Sequence, residues 1–391
     1  MRKTNNLQKF YRESEQRYKD KRLDFDPNDL HRMIDNLYQQ SKRNYLKLSD
    51  PKTCNSVVYT DVFIWQEIGD DIARKGVGKP FRLDNPPAEY KASADFLNNY
   101  PQELILEIKK NEEMRNQFDF NKMREKWLAT VVERNNFSLN KGYASRLNMY
   151  LRNFKIPESE YDKFLKNVDK VIFDCNQKLT SLPKPNSLEL SKYCFICELE
   201  PFPFKNTSEI LAFFKKEYPI LRENINRIKI SMADCSGAKY MKESDSFEIT
   251  LDKNVKTNHQ KLDLIHELAH VVLNLGYFKK GKNIKKKGRY FGEKSAIKIE
   301  LMLLKKYSPQ LFVAKLGSIL HNIWKTLFEI EIYQNPNRNP DKLYAECFNR
   351  CFAGANQKIN RDYLLNLDIL YQNFSLLPYV VAYTNILRDI L

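Results

Sequence analysis

Two histidines and a glutamate carry the sharpest chemistry in this chain. They fall in the stretch Lys261–Gly276, as His266-Glu267-Leu268-Ala269-His270, an H-E-x-x-H pattern inside an apolar-periodic segment. Residues four apart stand on one face of a helix, so His266 and His270 can turn two neutral imidazoles toward a single ion. Glu267, one residue on, is placed to act as a general base. Two nitrogen ligands, a base and an open coordination position are what a zinc hydrolase requires. The pattern also arises by chance on ordinary helices, so its surroundings matter. The chain has five histidines, and two of them fall here among apolar neighbours.

A tetrahedral site built on two histidines lacks one protein ligand. Glu293 lies twenty-three residues past His270 and opens the next helical pattern, with Glu300 two turns further on. Glu346 lies seventy-six residues past His270. No third histidine follows at ligand spacing, and His321 reads as a helix-face residue. Glu293, Glu300 and Glu346 form the shortlist for the third ligand.

H-E-L-A-H, a connection of about twenty residues, and a helix carrying E-x-x-A resemble the glutamate-zincin metallopeptidases. Within them the pattern is most similar to the ImmA/IrrE type, bacterial and phage-borne enzymes that cut transcriptional regulators. Glu293, Ala296 and Leu303-Leu304 match; Ile297, Ile299 and Glu300 depart from that family's pattern. The resemblance spans roughly residues 228–306. It implies zinc held by His266, His270 and Glu293, with Glu267 as the base. Tyr344-Ala-Glu346-Cys-Phe resembles a helix of other glutamate-zincins, but there the ligand sits four residues earlier, where this chain has Lys342.

Several elements must position these groups. Leu262, Ile265, Ala269, Val272 and Leu273 form a helical stripe. Thr257 and Gln260 read as a capping box before it, and Gly276 as its stop. Ser246–Leu251 alternates Phe247, Ile249 and Leu251 with polar residues, as an edge strand would. Zinc peptidases use such an edge to pair with substrate backbone. Arg227–Met232 and Ala238–Met241 read as further strands, Ser208–Ile225 as one helix capped by Ser208. Everything after about residue 292 reads helical, with a break at Asn335–Pro340. Upstream, residues 26–47 and 92–178 read helical, with Trp127, Leu128, Val131 and Val132 as core. Lys141–Glu160 fits a helix-turn-helix, although an all-helical support gives the same pattern more often. The predicted class is α+β, predominantly helical, with a small zincin-like sheet. Ser181–Ser187 is the expected linker between a helical domain over 1–180 and a zincin-like domain with a helical extension over 181–391.

Composition narrows the setting. The chain has 391 residues, enough to bury more than one core. No apolar run approaches membrane length, and the N-terminus reads as charged helix, which predicts a cytoplasmic protein, with delivery by a signal-less secretion system left open. Seven scattered cysteines argue against a disulfide framework; the lone Cys194-x-x-Cys197 reads as buried strand thiols, and Cys347 and Cys351 as core. Gly76–Pro80 lacks the spacing of a phosphate loop. The net charge is +16, and seven basic residues in eleven crowd Lys279–Arg289, between His270 and Glu293. That segment reads equally as a flap attracting an acidic or nucleic-acid-bound substrate and as a solvated connector.

The expected activity is therefore peptide hydrolysis by a zinc metallopeptidase with a Tyr or His assisting the oxyanion; Tyr290 and Tyr344 are candidates by position. The competing expectations are a DNA-binding regulator or antirestriction-like protein on a zincin-like fold, and a host-targeting toxin protease.

Overall fold

The computed structural model describes residues 91–179, 202–233, 237–241, 246–252, 258–279, 288–371 and 373–391. The helices expected before residue 90, the segment at 75–87, the linker at 181–187, the strand around Cys194 and Cys197, Thr257, and residues 280–287 of the basic segment lie outside these. Helices α1 (Lys91–Asn99), α2 (Gln102–Lys110), α3 (Glu112–Gln117), α4 (Phe120–Asn140), α5 (Arg146–Asn153) and α6 (Glu158–Leu179) come first. Then follow α7 (Thr207–Glu217), α8 (Pro219–Glu223), β1 (Ile228–Ala233), β2 (Gly237–Met241), β3 (Ser246–Asp252) and α9 (Asn258–Lys279). The chain closes with α10 (Arg289–Tyr307), α11 (Pro309–Gln334), α12 (Pro340–Cys351), α13 (Leu367–Tyr371) and α14 (Leu377–Ile390). The predominantly helical α+β class is as expected.

Local chemistry explains most of the boundaries. Side chains of Asp119, Ser145, Asn206 and Asn339 accept backbone N–H bonds in the first turns of α4, α5, α7 and α12. The single helix expected over 208–225 is two, because Pro219 cannot continue α7 and instead opens α8, and Asn206 rather than Ser208 is the cap. Helix α9 runs on through Gly276 to Lys279, so that glycine is not its stop.

The sheet has the order β1-β3-β2, with β1 parallel and β2 antiparallel to β3. This corrects the expected edge strand: Ser246–Asp252 is hydrogen-bonded on both sides, and β2 is an edge. Phe247 and Ile249 are buried as their alternation predicted, in one core with Ile210, Phe214, Leu264, Leu268 and Val271. Of the predicted stripe on α9, Leu262, Ile265 and Ala269 are buried while Val272 and Leu273 are only half-buried. The stripe is displaced because the sheet and α7 cover the face carrying Leu264, Leu268 and Val271.

A second core is helical and aromatic. Trp127 of α4 stacks on Phe328 of α11, which meets Tyr344 of α12. Val131 is buried there too, whereas Val132 is exposed and Leu128 half-buried. Cys175, Cys347 and Cys351 are buried free thiols. The described residues fall within one compact unit, Arg82–Leu391. Within it, α6 packs against α11 and α14. The second helix of the Lys141–Glu160 pattern is the start of α6, which buries Tyr161, Phe164, Val168, Val171 and Ile172. Among the described residues, no helix is long and apolar enough to cross a membrane.

Candidate metal centre

Helix α9 presents His266 and His270 from successive turns, and α10, packed against it, brings Glu293 to them. His266 Nε2 lies 3.1 Å from His270 Nε2 and 3.1 Å from Glu293 Oε2, and His270 Nε2 lies 3.4 Å from the same oxygen. These three atoms form a near-equilateral triangle. Atoms bound at ~2.1 Å to one tetrahedral zinc stand ~3.4 Å apart, so the donor set fits such an ion in identity and in spacing.

The electrostatics agree. Burial opposes charge on His266, yet hydrogen bonds and charge from Glu293 and Glu300 push its pKa up to about 10. Burial would raise Glu293, but the two histidines hold it well below the usual carboxylate range. The pocket is thus built to hold positive charge. Glu267 lines the same cleft and its pKa is raised, chiefly by burial, with the two histidines opposing. A raised carboxylate pKa suits a group that must take up a proton and release it.

Behind the triangle, the other nitrogen of His266, Nδ1, faces Glu300 Oε2 at 3.2 Å. Lys315 Nζ of α11 lies 2.8 Å from Glu300 Oε1. Such a carboxylate fixes the tautomer and orientation of a ligating imidazole. Glu300 therefore supports His266 and does not join the triangle. Glu346 is half-exposed or more on α12, paired with Arg338, and does not line the cleft.

The cleft, about 520 Å³, is also lined by Ala238, Leu262, Asp263, Asn274, Tyr379 and Tyr383. Neither Tyr290 nor Tyr344 is among these. Tyr290 is buried and donates to Glu160, and Tyr344 stacks on Trp324 in the helical core. The tyrosines that do face the cleft stand on α14, more than a hundred residues beyond His270. Tyr379 accepts a hydrogen bond from Arg289 Nη2 at 2.9 Å, and burial beside Glu293 pushes it up to about 12. No local signal marks Tyr379: it sits in an apolar helical run like any core residue. His321 is likewise remote, against Trp324.

No protein-family model matches the chain, and no curated protein sequence matches it. Solved structures are similar at low identity, among them the following three. The M32 carboxypeptidase from Deinococcus radiodurans R1 is 10% identical with a TM-score of 0.46, over 86% of this chain and 78% of that one. PZ peptidase A with inhibitor 2 is 12% identical at a TM-score of 0.46, over 92% and 86%. The structure named BsuCP is 13% identical at a TM-score of 0.45, over 85% and 77%. Superpositions this loose leave the chemistry to rest on the residues of the cleft.

Proposed function

We propose that the chain is a zinc-dependent metallopeptidase of the glutamate-zincin kind, with His266, His270 and Glu293 as metal ligands and Glu267 as general base. The observation carrying this reading is the triangle of donor atoms at 3.1, 3.1 and 3.4 Å, with Glu267 in the same cleft. When bound, zinc supplies Lewis acidity that polarises a peptide carbonyl and lowers the pKa of water to about 7. Glu267 takes the proton of the attacking water and passes it to the leaving amine. Tyr379 donates to the developing oxyanion, held in place by Arg289. Its Ala238 in the cleft wall makes β2 the strand edge along which a peptide would lie, in place of β3. Within the glutamate-zincins, the ImmA/IrrE type is supported by Glu293, Ala296 and Leu303-Leu304 alone.

The substrate is a protein or peptide. The basic segment at 279–289 supports an acidic or nucleic-acid-bound one, captured by charge steering that salt screens over ~8 Å. A DNA-binding or antirestriction-like role is favoured only by the net charge of +16. Binding alone has no use for Glu267 in the cleft. A toxin protease would use the same chemistry on a host target. Metal analysis of the purified protein, hydrolysis of a denatured protein with and without zinc, and a gel shift on duplex DNA separate these readings. Zinc-dependent cleavage is expected. A DNA shift without bound zinc or cleavage would overturn the peptidase reading.

A further inference from the structure

We propose that Glu160, in the first turn of α6, is a positioning residue for the metal site: it locks α10, which carries Glu293, to α14, which carries Tyr379. The inference rests on the peptidase reading above but is carried by other residues. One oxygen of Glu160, Oε2, accepts three donors: the Tyr290 hydroxyl at 2.6 Å, Lys294 Nζ at 2.7 Å and Asn385 Nδ2 at 2.9 Å. Asn385 Nδ2 also lies 2.9 Å from the Glu160 carbonyl oxygen, which it donates to. Tyr290 and Lys294 are four apart on α10 and bracket Glu293 in sequence, so the carboxylate grips the helix at the turn that presents the ligand. Asn385 is 1% exposed and stands on α14, six residues beyond Tyr379.

The chain just before Glu160 grips the same helix start. Helix α10 has Gly288 at its cap and no side-chain cap of its own. Its first-turn N–H groups need partners from elsewhere, and the Tyr290 N–H donates to the Phe154 carbonyl at 3.2 Å. The Arg289 guanidinium lies over the rings of both Phe154 and Tyr379, at 5.6 and 5.4 Å from the centroids. Gly288 has φ +90, and a Cβ there would stand 2.6 Å from Lys155 Cβ, so only glycine lets the chain pass this corner and enter α10. Burial would raise the Glu160 pKa, yet the hydrogen bonds of Lys294, Tyr290 and Asn385 hold it below the usual value. Residues 154–160 therefore set where α10 begins, and with it where Glu293 stands. Glu160 touches no ligand itself; it acts through α10, one step further out than the direct partners of ligands that tune metal sites.

The test is zinc affinity by chelator competition on the full chain, beside the melting temperature of the metal-free protein. Glu160→Ala should weaken zinc binding about 10–100-fold, the range seen when outer partners of a metal site are removed. Glu160→Gln keeps the acceptor oxygen and loses the charge, so it should fall between Glu160→Ala and wild type. Asp169, also on α6, contacts Arg350 of α12 at 2.8 Å; Asp169→Ala breaks this contact and should leave zinc affinity unchanged. Zinc binding by Glu160→Ala within about threefold of wild type would overturn the proposal, since it lies below the smallest effect expected of such partners. If Glu160→Ala does not fold, Glu160→Gln and Lys294→Met decide by the same threshold. Absence of zinc binding by the wild-type chain would instead sink the peptidase reading, and this proposal with it. Normal binding by the variants beside a zinc-binding wild type touches only the role of Glu160.

Discussion

Glu300 and Glu329 are both 2% exposed, both on long helices, and they titrate in opposite directions. Burial pushes each upward. In Glu300 the Lys315 ammonium and His266 outweigh it and bring the pKa down to about 2. In Glu329 the Phe374 N–H bond at 2.8 Å and the more weakly felt charges of Lys325 and Arg134 do not, and Asp368 adds to the rise, so the pKa reaches about 8. Burial is shared, and the partners decide. In the cleft, Glu293 and Glu300 are held charged by their cationic partners, while Glu267 is raised by burial. In the helical core, burial holds Glu329 towards its neutral form.

The comparison breaks hardest if the cleft takes up no cation. We expect about one zinc per chain, removable by a chelator and lost in His266→Ala, His270→Ala or Glu293→Ala, with no metal lost from Glu346→Ala. Zinc retained at full occupancy by the His266→Ala, His270→Ala double variant would end the metal reading. Next in size is the base. Glu267→Gln should keep its zinc and its fold while turnover falls about 10²–10⁴-fold, because a proton acceptor is removed and no ligand is. A fall of less than about threefold would assign the proton to another group.

Glu300 sharpens the contrast within the cleft itself. Glu300→Gln should weaken zinc affinity roughly 10–100-fold, less than Glu293→Ala, because it orients His266 without binding the ion. Chelator titration of the two variants side by side checks the order; a larger loss from Glu300→Gln would make it a ligand.

The smallest effect lies in the core. A carboxyl whose folded pKa stands above its unfolded value of 4.5 holds a proton that the unfolded chain has released. Its stabilising contribution is complete below that unfolded value and declines as pH rises towards about 8. Glu329→Gln cannot ionise, so its melting temperature should gain on wild type as pH goes from 5 to 9. Parallel melting curves across that range would show that Glu329 does not titrate as its burial dictates.

What was legible in the sequence follows from distance along the chain. His266, Glu267 and His270 lie within one helical turn and a half, so periodicity alone aligned them. Spacing leaves Glu293, Glu300 and Glu346 open as the third ligand, and the resemblance to the glutamate-zincins singles out Glu293. Phe247 and Ile249 were readable as buried because a strand alternates its faces. The reading of β3 as an edge strand failed because alternation shows which face is buried and says nothing about how many strands flank it. Tyr290 and Tyr344 lie close in sequence to Glu293 and Glu346, yet Tyr290 donates to Glu160 and Tyr344 packs on Trp324.

By itself, then, the sequence determined the chemistry that one helix and its neighbour can hold: two imidazoles, a base, and a carboxylate on the following helix. Tertiary structure alone decided the remainder. Tyr379 reaches the cleft because α14 packs on α10, and Lys315 reaches Glu300 because α11 packs there too. Glu160 meets Tyr290, Lys294 and Asn385 across more than a hundred residues of chain. The physical reason is that helical period reports only on side chains three or four residues apart. Contacts between helices depend on which apolar faces meet, and that is settled only when the whole core is packed.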